Sequence, residues 1–352
     1  MAVFTSCKSR GDMQGVSPPS PVSAMTSKHM QALVFNLRYE AQGVVSVELR
    51  PAENGTEFPP VEAGAHIDLH LSNGLVRSYS LTNPGESRRY VVAVLKDKNS
   101  RGGSAHIHEQ LRIGQKLQIS TPRNHFALDE TASHSVLVAG GIGITPIYSM
   151  LQRLRDLGRS AELIYCARSR AEAAYLEPIE TLVKSMKGHS SPLALTLHFD
   201  QEQGRPPNMM ELLAGRSHDT HFYCCGPAPM LDAFEKACEV LSQTHVHLER
   251  FGATAKPTSA TNIGTGYDVE LRKSCKTLHV PPGVSLLDSL LDAGLQPEFS
   301  CREGICGACE TRVISGDVDH QDQILTKQEK AANKSMMICV SGCRSGTLVL
   351  DL

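Results

Sequence analysis

Ser300-Cys301-Arg302-Glu303-Gly304-Ile305-Cys306-Gly307-Ala308-Cys309, followed after 29 intervening residues by Cys339, is the stretch that decides how the chain is read. Three thiols within nine residues must curl around one small centre, and Gly304 and Gly307 supply the backbone angles that a side chain forbids. Ser300 and Ala308 keep the loop small. The C-x4-C-x2-C…C spacing matches the known one for a plant-type two-iron, two-sulfur cluster, with Cys301, Cys306, Cys309 and Cys339 as the expected ligands. Zinc sites use two short Cys pairs, or Cys with His, at other spacings. Eleven cysteines in 352 residues, without a secretory segment, read as reduced thiols and not as a disulfide framework. Cys343 also follows at a workable distance, but it comes after Ser341-Gly342 in an expected turn. Cys339 lies in the apolar run Met336 to Val340, which reads as a buried strand.

Composition bounds what surrounds this loop. With 41% hydrophobic residues, the chain is long enough for two or three domains with buried cores. The 35 basic and 37 acidic residues leave no basic excess of the kind that nucleic-acid binding uses. No run of 18 apolar residues occurs, so no membrane-spanning helix is expected. Residues 1–30, rich in Ser, Pro and Met, read as a disordered leader and not as a signal peptide. The expectation is a cytoplasmic protein that binds neither nucleic acid nor membrane.

Outward from the cysteine loop, three folded units are expected: a β-barrel, an α/β domain and a small cluster domain. Over residues 31–130, β-rich runs (Val44 to Leu49, Ala65 to Leu71, Tyr90 to Leu95, Leu117 to Ser120) alternate with turn clusters such as Asn54-Gly55, the pattern of a small barrel. Over residues 131–251, Val136 to Ala139 runs into Gly140-Gly141-Ile142-Gly143. Ile147, Met150, Leu151 and Leu154 then recur at helical spacing until Gly158. Apolar strands Leu163 to Cys166 and Phe222 to Cys225 follow, which argues a parallel sheet with crossover helices. Residues 252–267 read as a linker. In residues 268–352, Val269 and Leu271 pair with Leu278 and Val280 as a hairpin, and Leu286, Leu287, Leu290 and Leu291 line one helix face.

Two segments of the first unit have flavin chemistry. A flavin needs a cation for its phosphate, a flat side chain against its ring system and small hydrogen-bonding groups at the ring edge, which Arg77, Tyr79, Ser78 and Ser80 offer together. Alternation puts Arg77 and Tyr79 on one face and the two serines on the other, so the strand must lie at an edge for all four to reach one ligand. Read alone, it is an ordinary amphipathic strand. Arg101-Gly102-Gly103-Ser104 precedes a helical stretch whose amides, with the Ser104 hydroxyl, suit a phosphate. In the second unit, Gly140, Gly141 and Gly143 lie between strand and helix, where a pyrophosphate can approach, although they depart from G-x-G-x-x-G. Cys225-Gly226-Pro227 ends a later strand at the carboxyl edge where such folds bind ligands. Cys224 reads as a core thiol, and His106, His108, His245 and His247 as ordinary histidines.

Taken in order, RSYSLTN, GGIGITP, CCGP, CREGICGAC and a distant cysteine resemble the phthalate dioxygenase reductase family, single-chain reductases of Rieske non-heme iron oxygenase systems. The resemblance covers nearly the whole chain from about residue 31. It implies an FMN-binding β-barrel, an NAD domain of the ferredoxin reductase type and a C-terminal β-grasp ferredoxin domain. It implies that Arg77, Ser78, Tyr79 and Ser80 hold FMN, with Val94, Leu95 and Lys96 along the ring and ribityl chain and Gly102, Gly103 and Ser104 at the phosphate. Relatives carry a basic residue where this chain has Leu95. Thr145 falls near both flavin and nicotinamide, Cys225 near the hydride-transferring carbon, with Gly226 and Pro227 beside it, and Phe251 over the flavin. The implied ligands of the cluster are again Cys301, Cys306, Cys309 and Cys339.

The resemblance implies a converter that takes two electrons from NADH as hydride and passes them singly to a terminal oxygenase. Arg168 and Arg170 offer a clamp for the extra phosphate of NADPH, but the resemblance and the nearby Glu172 favour NADH. The alternatives are a reductase for another acceptor, such as a cytochrome P450, and a flavin and iron-sulfur redox sensor without a terminal acceptor.

Overall fold

The computed structural model describes residues 29–98, 101–186, 192–252 and 266–352, so most of the expected leader and linker lie outside the described residues. The first unit holds β1 (His29–Ala41), β2 (Val44–Pro51), β3 (His66–His70), β4 (Val76–Ser80), β5 (Tyr90–Leu95), α1 (Gly103–Gln110) and β6 (Lys116–Ser120). These strands form one antiparallel sheet in the order β4-β3-β6-β1-β2-β5, and a bridge from Leu81 to Val92 brings its two edges together as a barrel. The inward-facing residues of each strand fill it, among them Val47, Leu49, Ile67, Leu69, Val92 and Ile119. β1 starts earlier than the sequence reading placed the barrel. His29 and Met30 pair with Ser120 and Ile119, and Met30 packs on the barrel core, so cross-strand pairing overrides the polar composition upstream.

The second unit holds β7 (His134–Gly140), α2 (Ile144–Asp156), β8 (Ser160–Ala167), α3 (Leu176–Ser185), β9 (Leu193–Phe199), α4 (Asp200–Gln203), α5 (Met209–Leu213), β10 (His221–Cys225), α6 (Ala228–Val240) and β11 (Val246–Glu249). All five strands run parallel in the order β11-β10-β7-β8-β9. β9 and β11 were not read from sequence. They are the two edge strands, half-buried along much of their length, so neither shows the continuous apolar run that marks β7 and β8. Among the contacts that hold this unit to the barrel, Gln152 Nε2 donates to the Thr82 carbonyl at 2.6 Å, the Tyr223 hydroxyl accepts from the Asp129 amide at 2.8 Å, and the Gln42 amide donates to the Ala171 carbonyl at 2.8 Å.

The third unit holds β12 (Tyr267–Leu271), β13 (Lys276–Val280), α7 (Leu286–Asp292), β14 (Glu310–Ser315), β15 (Val318–Asp319), α8 (Lys327–Ala332), β16 (Ser335–Met337), β17 (Gly342–Cys343) and β18 (Thr347–Leu350). Its mixed sheet runs β13-β12-β18-β14-β16, with β12 and β18 parallel, and α7 buries Leu286, Leu287 and Leu290 against it. The expected hairpin forms, with Val269 opposite Leu278, while Leu271 faces Lys276 and Val280 faces Tyr267. Ser285 caps α7 by accepting the Asp288 amide. No helix among the described residues is long and apolar enough to cross a membrane.

Candidate functional site

The cysteine loop leaves α7 and ends where β14 begins. Gly304 and Gly307 lie in the left-handed region at φ 68° and 69°, as the sequence required, and Arg302 joins them at φ 58°. A Cβ on Gly304 would strike Val340 and Asp322, and one on Gly307 would strike the His125 ring. The loop therefore closes tightly on both sides.

All four expected cysteines converge. Cys309 Sγ lies 3.2 Å from Cys339 Sγ, and Cys306 Sγ lies 3.5 Å from the Cys301 amide. The Cys301 thiol is pulled down to about 2 by hydrogen bonds from Cys306 and then Cys339, reinforced by backbone amides. Cys306 and Cys339 are pushed up, chiefly by their contact with Cys301. The Glu303 amide also donates to Cys301 Sγ at 3.3 Å.

The local structure of the fourth cysteine differs from expectation. β16 stops at Met337, so Cys339 sits in the turn that follows, while Cys343 is the one on a strand, β17, opposite Val318. The Val340 and Ser341 amides both turn back to the Met337 carbonyl, which ends the strand and aims Cys339 at Cys309. Met336, Met337 and Ile338 are fully buried, so the apolar run reported burial correctly and its extended conformation only in part.

A cavity of about 300 Å³ opens between the barrel, the end of the parallel sheet and the cysteine loop. β4 is an edge strand, the condition that the alternation argument set, and Arg77, Ser78, Tyr79 and Ser80 all line this cavity. Leu95, Ser104, Thr145 and Phe251 line it as well, together with Cys301 and Cys306. Val94 turns into the barrel core and its carbonyl is held by His108 at 2.9 Å, while Lys96 is paired with Glu109 at 2.8 Å. Burial lifts the Tyr79 hydroxyl to about 12, so it stays protonated.

The Arg77 side chain lies across the start of α1, so close that a Cβ on Gly103 would sit 2.6 Å from it. Gly102 caps this helix at φ 92°. A guanidinium, a helix N-terminus and the Ser104 hydroxyl thus converge on one corner, a cradle that fits a single phosphate.

At the other wall, Gly143 packs on the end of β10, where a Cβ would sit 2.2 Å from the Cys225 carbonyl. Gly140 packs in the same way on Pro227 and Gly226. The glycine loop and the Cys225-Gly226-Pro227 turn therefore form one surface at the carboxyl edge of the sheet. Burial raises the Cys225 thiol well above its ordinary range, keeping it neutral. Glu249, at the end of β11, lines the same cavity. The residue keeps some exposed surface, but its Oε2 is sealed from solvent and has no partner among the described residues. Burial alone lifts its carboxyl to about 8.

Residues 269–344 match the 2Fe-2S iron-sulfur cluster binding domain, and residues 137–236 match the oxidoreductase NAD-binding domain. A solved phthalate dioxygenase reductase, described as a modular structure for electron transfer from pyridine nucleotides to 2Fe-2S, is 34% identical, with a TM-score of 0.64 and coverage of 92% of this chain and 98% of that one. The chain belongs to the phthalate dioxygenase reductase family. A second similar protein, the putative toluene-4-sulfonate monooxygenase system reductase subunit of Comamonas testosteroni, is 43% identical over 93% of this chain and 100% of its own. An intact type IV self-sufficient cytochrome P450 monooxygenase is 35% identical with a TM-score of 0.83, and the match covers 92% of this chain and 41% of that one. This phthalate dioxygenase reductase family member therefore spans about two fifths of the P450 protein's length.

As a member of this family, the protein is an NADH-dependent iron-sulfur oxidoreductase. Among the cavity residues that escaped the sequence reading of this phthalate dioxygenase reductase family member, Glu249 and His66 bear most on its chemistry. Glu249 carried one usable signal, a carboxylate at the end of a short strand whose register matches Cys225. His66 carried none, because its place follows from how the third unit meets the barrel.

Proposed function

We propose that the chain is the reductase component of a Rieske non-heme iron oxygenase system and passes electrons from NADH through FMN and a 2Fe-2S cluster to the terminal oxygenase. The observation that carries this reading is one cavity lined by the Arg77 to Ser80 strand, by Thr145 beside the glycine loop, and by Cys301 and Cys306. Bound flavin and cluster supply the exchange of one hydride for two single electrons. The chain's own residues do the rest. Arg77, Gly102, Gly103 and Ser104 take the phosphate, Ser78 and Ser80 the ring edge, and Tyr79 and Phe251 the ring faces. Leu95, Lys96 and the backbone of Val94 flank it. Gly140, Gly141, Gly143, Gly226 and Pro227 leave room for the dinucleotide, while Cys225 and Thr145 orient the nicotinamide over the flavin. Both are uncharged and buried, so they exclude water and take no proton.

Cys301, Cys306, Cys309 and Cys339 would hold the cluster in this reading, and the short distances from the Cys301 amide to Cys306 Sγ and from Cys309 Sγ to Cys339 Sγ support their sharing one site. The units run 31–130, 131–251 and 268–352, and the protein works in the cytoplasm without binding nucleic acid or membrane. Purified protein is expected to contain FMN and one cluster per chain and to reduce a soluble one-electron acceptor steadily with NADH. Stoichiometric FAD, or reduction that stops after one turnover as in a sensor, overturns the reading. The likeness to a P450 monooxygenase favours one second reading, delivery to a heme acceptor. Reconstitution with a Rieske oxygenase and with a P450 separates the two.

A further inference from the structure

His66 opens β3 with its backbone locked. Its amide and carbonyl both pair with Arg123, at 2.9 and 3.0 Å. Only 5% exposed, its ring turns towards the third unit, where Nε2 lies 3.2 Å from the carbonyl oxygen of Cys306, 240 residues further along the chain. A carbonyl only accepts, so Nε2 carries the hydrogen and donates it. Nδ1 has no partner among the described residues, which leaves this one bond as the ring's polar contact.

The neighbouring contacts make a cradle. The Arg123 guanidinium donates to Asp68 at 2.7 Å and Ser78 donates to the same carboxylate at 2.6 Å, which stiffens the floor on which His66 stands. Ser78 Oγ lies 3.5 Å from Ser300 Oγ, just before the loop. His125 packs on Gly307, and Arg101 pairs with Glu303 at 2.5 Å. Four points of the segment Ser300 to Gly307 therefore rest on the barrel. On its inner side Glu303, Ile305 and Cys306 line the cavity, while Arg302 turns outward onto Phe299 and Asp288.

We infer that His66 is a positioning residue for the step between flavin and cluster, its Nε2–H bond to the Cys306 carbonyl setting the distance from the cluster to the cavity. The inference rests on the flavin reading above. In the step, one electron leaves reduced flavin and reduces one ferric iron of the cluster, and NADH supplies both electrons of each cycle. A donor fixed on the barrel and an acceptor fixed on a cluster-loop residue tie the two redox sites together without touching either reacting atom, and small misplacement there is costly.

The test uses the full holoprotein. A laser pulse with a soluble donor reduces the flavin, and the cluster absorbance is then followed. His66→Ala and His66→Leu are expected to slow cluster reduction by on the order of tenfold or more. His66→Gln, whose amide N–H donates at a similar reach, is expected to restore most of the rate, a rescue that a purely structural role does not give. Small-angle scattering of flavin-free protein should show a wider mean separation of units in His66→Leu and not in His66→Gln. An unchanged rate in both His66→Ala and His66→Leu, or a His66→Gln as slow as His66→Leu, overturns the inference. Should either His66 variant fail to load its cluster, Arg101→Gln loosens the same loop, and an unchanged rate there overturns it equally. If instead the flavin reading is wrong, no flavin bleaches in the parent protein, so the two failures are distinct.

Discussion

Cys225 and Glu249 stand in register at the carboxyl ends of adjacent parallel strands, so a buried neutral thiol sits beside the carboxyl that lines the cavity. Burial disfavours the carboxylate and no cation offsets it, which holds the Glu249 carboxyl at about 8 against an ordinary 4.5. The native state therefore binds this proton more tightly than the unfolded chain. The stability it contributes is present at low pH and is lost as pH rises through about 8. Chemical denaturation of flavin-free protein between pH 6 and 9 should show a decline that levels off above about 8 and that Glu249→Gln flattens. A parent and variant with parallel pH profiles sink this assignment.

Arg77→Ala removes the one guanidinium that reaches the start of α1 from β4. A charge-assisted contact is worth about 1.5–3 kcal/mol, so FMN should bind roughly ten- to a hundredfold more weakly. Titration of stripped protein with FMN measures this directly. An affinity within twofold of the parent removes Arg77 from the phosphate site.

Arg170 is engaged by acidic neighbours. It lies over the Phe199 ring at 4.6 Å and pairs with Glu202 at 3.3 Å and Glu180 at 3.9 Å. A guanidinium so occupied is a poor clamp for the extra phosphate of NADPH, and NADH should have the higher kcat/KM. Glu202→Gln combined with Glu180→Gln should narrow that preference. Equal efficiency with both nucleotides in the parent contradicts the argument.

Cys339→Ser should abolish the cluster, seen as loss of its visible absorbance and of its reduced-state paramagnetic signal, because it breaks the contact with Cys309. Electron flow from NADH to a flavin-reactive dye should persist. Cys343→Ser should keep the cluster, since that sulfur lies beside Ser345 on β17 and away from the loop. The reverse pattern reassigns the fourth ligand.

The two neighbouring loop charges should separate two docking events. Arg302→Glu, on the outward side, is expected to slow delivery to the external acceptor, with a shallow salt dependence because the residues from 268 on hold 12 acidic and 9 basic groups. Glu303→Arg sets like charge against Arg101 and should slow internal cluster reduction instead. Identical behaviour of the two variants in stopped-flow reduction by NADH refutes the two-sided loop.

What the sequence disclosed was local. The cysteine spacing, the glycines that need positive φ, the β4 motif and the hairpin from Val269 to Leu278 are all set within short windows, and each stands where it was expected. What it withheld depends on distant partners. Cys339 could be chosen but its turn could not, because the turn follows from amides folding back on Met337. Glu249 acquires its shifted proton only when parallel register brings it to the cavity, and His66 acquires a partner only across two units of the fold.

The covered inner half of the cysteine loop also acts as insulation. A protein that holds low-potential electrons in air loses them wherever a cofactor edge meets dissolved oxygen. Here Cys306, Cys309 and Cys339 are buried, Gly307 lies under His125, and Glu303 is tied to the barrel rim. The same contacts that hold the loop on the barrel therefore also shield its flank from dissolved oxygen, while Arg302 stays exposed.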